Sequence, residues 1–441
     1  MKMKINFNLH KALLLICFFA TAFVSAQEIL TVKDAVKVAL ENNFDIKIAR
    51  NNAKIDATNV SLANAGILPN VDAVLTESNG ILDTKQVQAD GSTREKNNAK
   101  NMNLSYGLAL NWTVFDGFKM FAKHEQLKEI EQLGNTELKF TILTRISDVM
   151  ETYYQIVQQQ QQLKVLDSTI RISELRLNLA KNRHSIGKAS KLEVLNAEVD
   201  WNTDNTNLLQ QKELYNNLKT NLNALLARAV TTDFVVVEEV AIDKSLNYGD
   251  LKTAFEGQNP QLQMQILQKK IAELALKQVK GDRYPTIGLS SGYNFTRSES
   301  DLGFASRSSG NGLVYGINAR MNIFNGSLQN RNEKAAKLAF ENANISLEQQ
   351  KSQLESQLLA SYTTYLTNIQ LSELEDKNEK IAKQNLDITL EKFKIGTITT
   401  VEFRTAQLNY VTAQFRNNSA QFQAKLSEIA LKELAGTLNL E

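Results

Sequence analysis

The chain has 441 residues with 50 basic and 48 acidic side chains, a formal charge of +2 that gives no support for nucleic-acid binding. Its one cysteine, Cys17, lies in the N-terminal apolar run, which leaves the rest of the sequence without a thiol, a disulfide or a Cys-bound metal. No run of about eighteen apolar residues follows, so no transmembrane helix is predicted.

The N-terminus reads as an export signal over residues 1–26. Lys2, Lys4 and Lys11 form a basic region, Ala12 to Phe23 an apolar core, and Val24-Ser25-Ala26 a small-residue cleavage site. The mature chain would begin at Gln27 with 47 basic against 48 acidic residues, a charge of −1. As a lipidation site Cys17 lacks the small residue expected before it, because Leu15 and Ile16 stand there. An exported chain without a spanning helix is either soluble or a β-barrel.

From residue 27 to 230 the order is helix, strands at about 70–76 and 103–115, a long helix 118–185, a tight turn, and a helix 190–228. A linker covers 231–243. Residues 244–436 repeat the order: helix, strands at about 286–296 and 312–324, a long helix 327–395 and a helix 400–435, before a tail at 437–441. The two stretches read as a tandem duplication. Leu104–Gly117 aligns with Leu313–Gly326 at an offset of 209, with five of fourteen positions identical. The same offset carries Ile186-Gly187 onto Ile395-Gly396 and Glu193 onto Glu402. Upstream, Asn43 and Pro69 match Asn259 and Pro285 at an offset of 216, which places a seven-residue insertion in the first copy.

The long helices are too long for an ordinary globular domain. Proline is absent from Phe118 to Ser185, where Gly134 is the one glycine, and both are absent from Ser327 to Ile395. Ile142, Ile146, Val149, Tyr153 and Ile156 step by four and three, the 3.5-residue period of helices wound round one another. Gln158 to Gln162 read as a solvated face of that helix. His124 and His184, far apart and without ligand partners, also read as solvated helix residues. Neither a metal nor a cofactor is expected.

The strands alternate. Leu104, Tyr106, Leu108, Leu110, Trp112 and Val114 share one face, and Leu313, Tyr315, Ile317, Ala319, Met321 and Ile323 share the matching face of the repeat. The other face carries small and polar residues, with Asn111 in the first copy and Asn318, Arg320 and Asn322 in the second. This is the pattern of a transmembrane barrel strand, apolar toward lipid and polar toward the lumen. Asn111, Asn318, Arg320 and Asn322 would face the lumen, and Tyr106, Trp112, Tyr293 and Tyr315 would sit at the lipid interface. Four strands cannot close a barrel, and an open edge is not tolerated in lipid. Copies of the chain must then pool their strands.

The two helix-to-helix turns are Arg183-His184-Ser185-Ile186-Gly187-Lys188-Ala189-Ser190-Lys191-Leu192-Glu193 and Phe393-Lys394-Ile395-Gly396-Thr397-Ile398-Thr399-Thr400-Val401-Glu402. Each glycine can adopt the left-handed conformation that ends a helix. Ser190 or Thr399 can then cap the next helix, with Glu193 or Glu402 completing a capping box. These turns, found twice in one order of elements, resemble those of the TolC-like outer-membrane efflux protein family over nearly the whole mature chain. The resemblance implies a mixed α and β membrane protein, in which long antiparallel helices form a periplasmic α-barrel. Four strands per chain would enter a trimeric twelve-stranded transmembrane β-barrel. It also implies hairpin tips, Ile186, Gly187, Lys188, Ala189 and Ser190 with Ile395, Gly396, Thr397, Ile398 and Thr399, that meet a periplasmic adaptor (membrane fusion protein). The adaptor would connect the duct to an inner-membrane transporter. Some relatives close the entrance with a Tyr, an Arg and an Asp, where this chain has Phe393, Ile398 and Thr405.

No nucleophile elbow, phosphate-cradling loop or paired acids point to an enzyme. Gly303, Gly310 and Gly312 cluster with Ser and Asn and read as an exposed loop. The expectation is a passive outer-membrane duct reaching into the periplasm, for efflux rather than protein secretion. The alternative is a periplasmic coiled-coil adaptor or scaffold, which two equal hairpins with paired β-segments fit less well.

Overall fold

The computed structural model describes residues 28–302 and 305–438. The expected signal at 1–26 with Cys17, Gly303 of the loop, and residues 439–441 of the tail lie outside that range. In chain order the elements are β1 (Glu28–Leu30), α1 (Val32–Asn42), α2 (Phe44–Asn59), β2 (Asn70–Val87), β3 (Thr93–Phe115), α3 (Lys119–Ser185), α4 (Lys191–Leu225), β4 (Phe234–Val236), α5 (Tyr248–Gln258), α6 (Pro260–Gly281), β5 (Thr286–Ser300), β6 (Arg307–Arg320), α7 (Leu328–Ile395) and α8 (Thr400–Ala435). The chain divides into two compact units. One takes the segment up to Lys47, Thr141–Gln258 and Ser356 onward, and the other takes Ile48–Phe140 and Asn259–Glu355.

The first unit is helical, and its core is the stripe with the 3.5-residue period. Ile146, Val149, Tyr153 and Ile156 of α3 are buried with Leu30, Val36, Ala39, Leu222, Phe234 and Ile429. Burial of such side chains supplies roughly 1.5–3 kcal/mol each. A feature that the sequence reading missed organises this core: β1 pairs in parallel with β4, Leu30 opposite Val236. Tyr153 bridges them, its hydroxyl donating to Leu30 O (3.0 Å) and accepting from Val237 N (3.0 Å). The glutamine run is not a solvated face. Gln160 Nε2 donates to Glu238, Gln161 Nε2 to Glu238 O, and Gln162 Oε1 accepts from Gln211 of α4 (3.1 Å). An amide both donates and accepts, so the run can tie α3 to the linker and to α4 at once.

The linker is held again further along. Lys425, only 10% exposed, reaches Ala241 O (2.7 Å) and Glu428 (3.0 Å), while Lys432 reaches Asp243 (3.1 Å). Asp243 also accepts from the Ser245 hydroxyl (2.6 Å) and backbone N–H (3.0 Å). Those Ser245 bonds, then Lys432, hold the Asp243 carboxyl down to about 2.

The second unit contains a four-stranded antiparallel sheet in the order β2-β3-β5-β6. β2 and β3 run on to Val87 and from Thr93, well beyond the predicted 70–76 and 103–115, and β6 begins at Arg307 rather than about 312. The extra residues lack apolar alternation and are held by pairing instead, as between Gly80 and Asn101. Gly310 and Gly312 lie within β6, not in a loop. A bulge between Thr113 and Phe115 displaces Val114 from the apolar row, so Phe115 stands opposite Ile287. Each pair of strands leads into a long helix through a left-handed corner. Gly117 (φ +75°) and Phe118 (φ +68°) precede α3, which starts at Lys119, and Gly326 (φ +65°) and Ser327 (φ +63°) precede α7. α4 ends at Leu225 rather than 228, because Ala227 turns left-handed (φ +50°).

Candidate functional site

The two turns named from sequence are built alike. Gly187 (φ +74°) donates its N–H to His184 O (3.0 Å), and Lys188 donates to Arg183 O (2.7 Å). Gly396 (φ +82°) donates to Phe393 O (3.1 Å) and Thr397 to Lys392 O (3.1 Å). Both are Schellman closures, which satisfy the last carbonyls of α3 and α7. At Thr399 the capping box is complete: its hydroxyl accepts from Glu402 N (3.2 Å) and its N–H donates to the Glu402 carboxylate (3.2 Å). At Ser190 only the first of these bonds forms, from Glu193 N (3.2 Å). His184 is not simply solvated, since its Nδ1 lies 3.0 Å from Ala189 O across the turn. His124 is half-buried with Nδ1 lacking a partner.

The structure brings the two turns together through Arg183, which sequence reasoning passed over. Its Nη2 donates to Phe393 O (2.7 Å), and its guanidinium lies 4.8 Å from the centre of the Phe393 ring. A cation at a helix C-terminus is favourable there. Phe393 stacks on Phe403 (4.8 Å) in a cluster with Leu386 and Ala406. Ile398, expected at the adaptor-meeting tip, packs against this cluster and is half-buried. Ile186, Lys188 and Ile395 are exposed, as are Gly187, Ser190, Gly396, Thr397 and Thr399, while Ala189 is half-buried.

On the sheet, cross-strand registers put the expected faces side by side. Ala73, Leu108, Tyr293 and Leu313 form one row, and Leu75, Tyr106 and Phe295 the next, with the Tyr106 and Phe295 rings stacked at 5.1 Å. Val71, Leu110 and Tyr315 continue that face, with Ser291 between them, as do Trp112, Leu289 and Ile317. The Trp112 indole N–H donates to Ile67 O (2.8 Å), which frees its ring for an apolar surrounding. The opposite face holds Asn111, Ser290 and Gly316 in one row, Thr113, Gly288 and Asn318 in the next, and Thr286 opposite Arg320 at the end. Arg320 is exposed. Asn322 does not join this face, because β6 stops at Arg320. The next position on the partner strand is Pro285, which has no N–H to extend the ladder.

Both outer strands of the sheet, β2 and β6, have one pairing partner each among the described residues. No helix among them is long and apolar enough to cross a membrane, and no group of three or more His, Cys, Asp or Glu could hold a metal ion.

Comparison with known proteins places this architecture. The profile of the family described as "Outer membrane efflux protein" matches twice, over residues 35–228 and 254–437. The outer membrane protein TolC of Salmonella enteritidis is 20% identical over 364 residues, 78% of this chain and 72% of TolC. Among solved structures, the Campylobacter jejuni CmeC outer membrane channel superposes with a TM-score of 0.78 at 16% identity, covering 92% of this chain and 85% of CmeC. The outer membrane protein VceC of Vibrio cholerae gives 0.76 at 14% identity, covering 92% and 96%.

Proposed function

The chain belongs to the outer membrane efflux protein family, an outer-membrane channel family, and from that premise we propose that three copies assemble into one passive exit duct. The protein resides in the outer membrane and extends into the periplasm. In our reading each copy gives four strands to a twelve-stranded barrel and its two helical hairpins to a periplasmic tunnel. The two matches to one family profile support an origin by tandem duplication of that half-unit. Substrates would be driven by a partner inner-membrane pump through a periplasmic adaptor that meets the tips around Ile186 and Ile395. The sequence holds no nucleotide-binding motif to supply energy itself. Efflux, rather than protein secretion, is the activity we assign.

The observation that carries the assembly is the sheet: apolar across four strands on one face, small and polar on the other, with both edges open among the described residues. Such edges are not stable in lipid until another copy covers them, and four strands are half of the smallest single-chain barrel of about eight. A second feature agrees. Leu359, Leu366, Leu374, Ile381 and Ile388 recur along α7 at steps of seven, with one step of eight, and all are exposed. An apolar heptad stripe left without a partner fits the helix of a neighbouring copy.

Cysteine introduced at both Thr76 of β2 and Gly312 of β6, bridged in outer-membrane vesicles by a short bis-maleimide, tests the edge pairing. The expected product is a ladder that ends at three chains. Cross-linking confined to single chains would overturn the assembly.

A further inference from the structure

Within the helical unit the two halves of the chain match residue for residue, yet they are unequally covered. α3 begins at Lys119 and α7 at Leu328, α4 at Lys191 and α8 at Thr400, so the offset of 209 found in the sequence holds in the structure. The exposed stripe of α7, Leu359, Leu366, Leu374, Ile381 and Ile388, falls on Met150, Val157, Val165, Ile172 and Leu179 of α3. None of those five is exposed. Val157 shares a core with Phe422 and Ile429 of α8, and Ile172 and Leu179 pack against the cluster of Phe403 and Ala406. α8 thus covers the stripe of the first half, while that of the second half is bare among the described residues.

The contact of α8 with the first half is ionic at its centre. Asp204 of α4 receives both guanidinium arms of Arg404 of α8, Nη1 at 2.9 Å and Nη2 at 3.0 Å, and also the Ser173 hydroxyl. Gln407 of α8 donates through Nε2 to Ser173 Oγ (3.0 Å) and Thr169 O (3.2 Å). Arg176 of α3 gives Nη2 to Asp200 of α4. At the offset of 209 every ion of this group is replaced by a neutral residue. Asn385, Asn409 and Ala413 stand for Arg176, Asp200 and Asp204, and on α4 Leu195 stands for Arg404. Ala382 stands for Ser173, and Glu198, in place of Gln407, is the one charge. Leu195 is exposed, as are Glu198, Ile381 and Ile388. The α7 side and the α4 side have lost their ions together, so contact between them leaves no Arg or Asp of this group buried and unpaired. In a ring of three copies each interface joins two different faces of the chain, so the stripe of α7 meets another element and not its own copy.

We propose that α7 of one copy seats on α4 of the next, in the register in which α3 seats on α8 within a chain. Ala382 then lies beside Leu195 and Glu198 of the next copy, and Ile381 and Ile388 reach its cluster of Val194 and Ala197. The proposal rests on the three-copy reading above and adds the helix that covers the stripe and the register between the two. The seam inside a chain is held by ions, and the seam between chains by apolar side chains.

Glu198 and Ala382 hold the places of Gln407 and Ser173, which touch at 3.0 Å within a chain. Cysteine at both, in the full-length channel in outer-membrane vesicles, should give with a short bis-maleimide a ladder that ends at three chains. Cysteine at Glu198 and Leu366 should give none, because Leu366 lies about 24 Å along α7 from Ala382. Leu195→Lys, added to the Ala382 pair, should reduce the ladder about tenfold, since it buries an unpaired charge. An unchanged ladder in that variant overturns the apolar seam. Links from the Leu366 pair, links confined to single chains, or no links from the Ala382 pair overturn the register. The native mass of the same variants separates this failure from that of the assembly. Three chains without the Ala382 link strike the seam alone, and a single chain removes the three-copy reading as well.

Discussion

At the scale of single residues, the hairpins rest on two left-handed glycines at their tips and, within the helices, on Arg404 of α8 bound to Asp204 of α4 through Nη1 (2.9 Å) and Nη2 (3.0 Å). Gly396→Val places a branched side chain at φ +82° and should lower the stability of the turn by about 1 kcal/mol or more. Export should fail while the assembled channel still inserts, as read by efflux assay beside outer-membrane yield. Asp204→Leu removes the bidentate partner of Arg404, which is 13% exposed, and should cost about 3 kcal/mol or more in helical melting. The double variant Asp204→Leu with Arg404→Met should recover most of that loss, because no buried charge is then left unpaired. The linker offers a pH test. Asp243 is held at about 2, below its ordinary 3.8, chiefly by Ser245 and then by Lys432. A depressed carboxyl contributes stability that is present above its unfolded pKa and lost as pH falls through its folded pKa. Thermal melting should therefore fall between about pH 4 and 2, and Asp243→Asn should flatten that part of the profile.

At the scale of elements, the two faces of the sheet make opposite predictions. Leu313 lies in the middle of the apolar face, in the row of Leu108 and Tyr293. Leu313→Arg should cost about 2–4 kcal/mol in the membrane and reduce outer-membrane yield. Arg320→Glu, on the small and polar face, should insert normally and shift single-channel selectivity toward cations. Normal yield for Leu313→Arg with loss of Arg320→Glu would reverse the two faces. The sequence disclosed these faces because a strand with one apolar side has a period of two; it disclosed α3 by the 3.5-residue repeat of its core and α7 by the absence of proline and glycine from Ser327 to Ile395. It concealed elements held by other forces. Residues 79–87 and 93–101 belong to paired strands without apolar alternation, and the three-residue β1 and β4 are too short to show any period. At the tips, Gly187 and Gly396 were legible from local turn chemistry. Arg183 on Phe393 and Arg404 on Asp204 were not, since each pair joins positions about two hundred residues apart.

At the scale of the whole molecule, the central claim is that one chain is an incomplete object. Among the described residues its sheet leaves β2 and β6 each with a single partner, and α7 carries an exposed heptad stripe. In the proposed assembly further copies would cover both, and twelve strands from three chains would make a closed barrel within the range of known ones. The most direct measurement is the mass of the purified protein in mild detergent by native mass spectrometry, with β-content followed by circular dichroism on the same sample. The account predicts a complex of three chains whose strand signal is lost when the complex dissociates. A monomer that keeps its full β-content would contradict it.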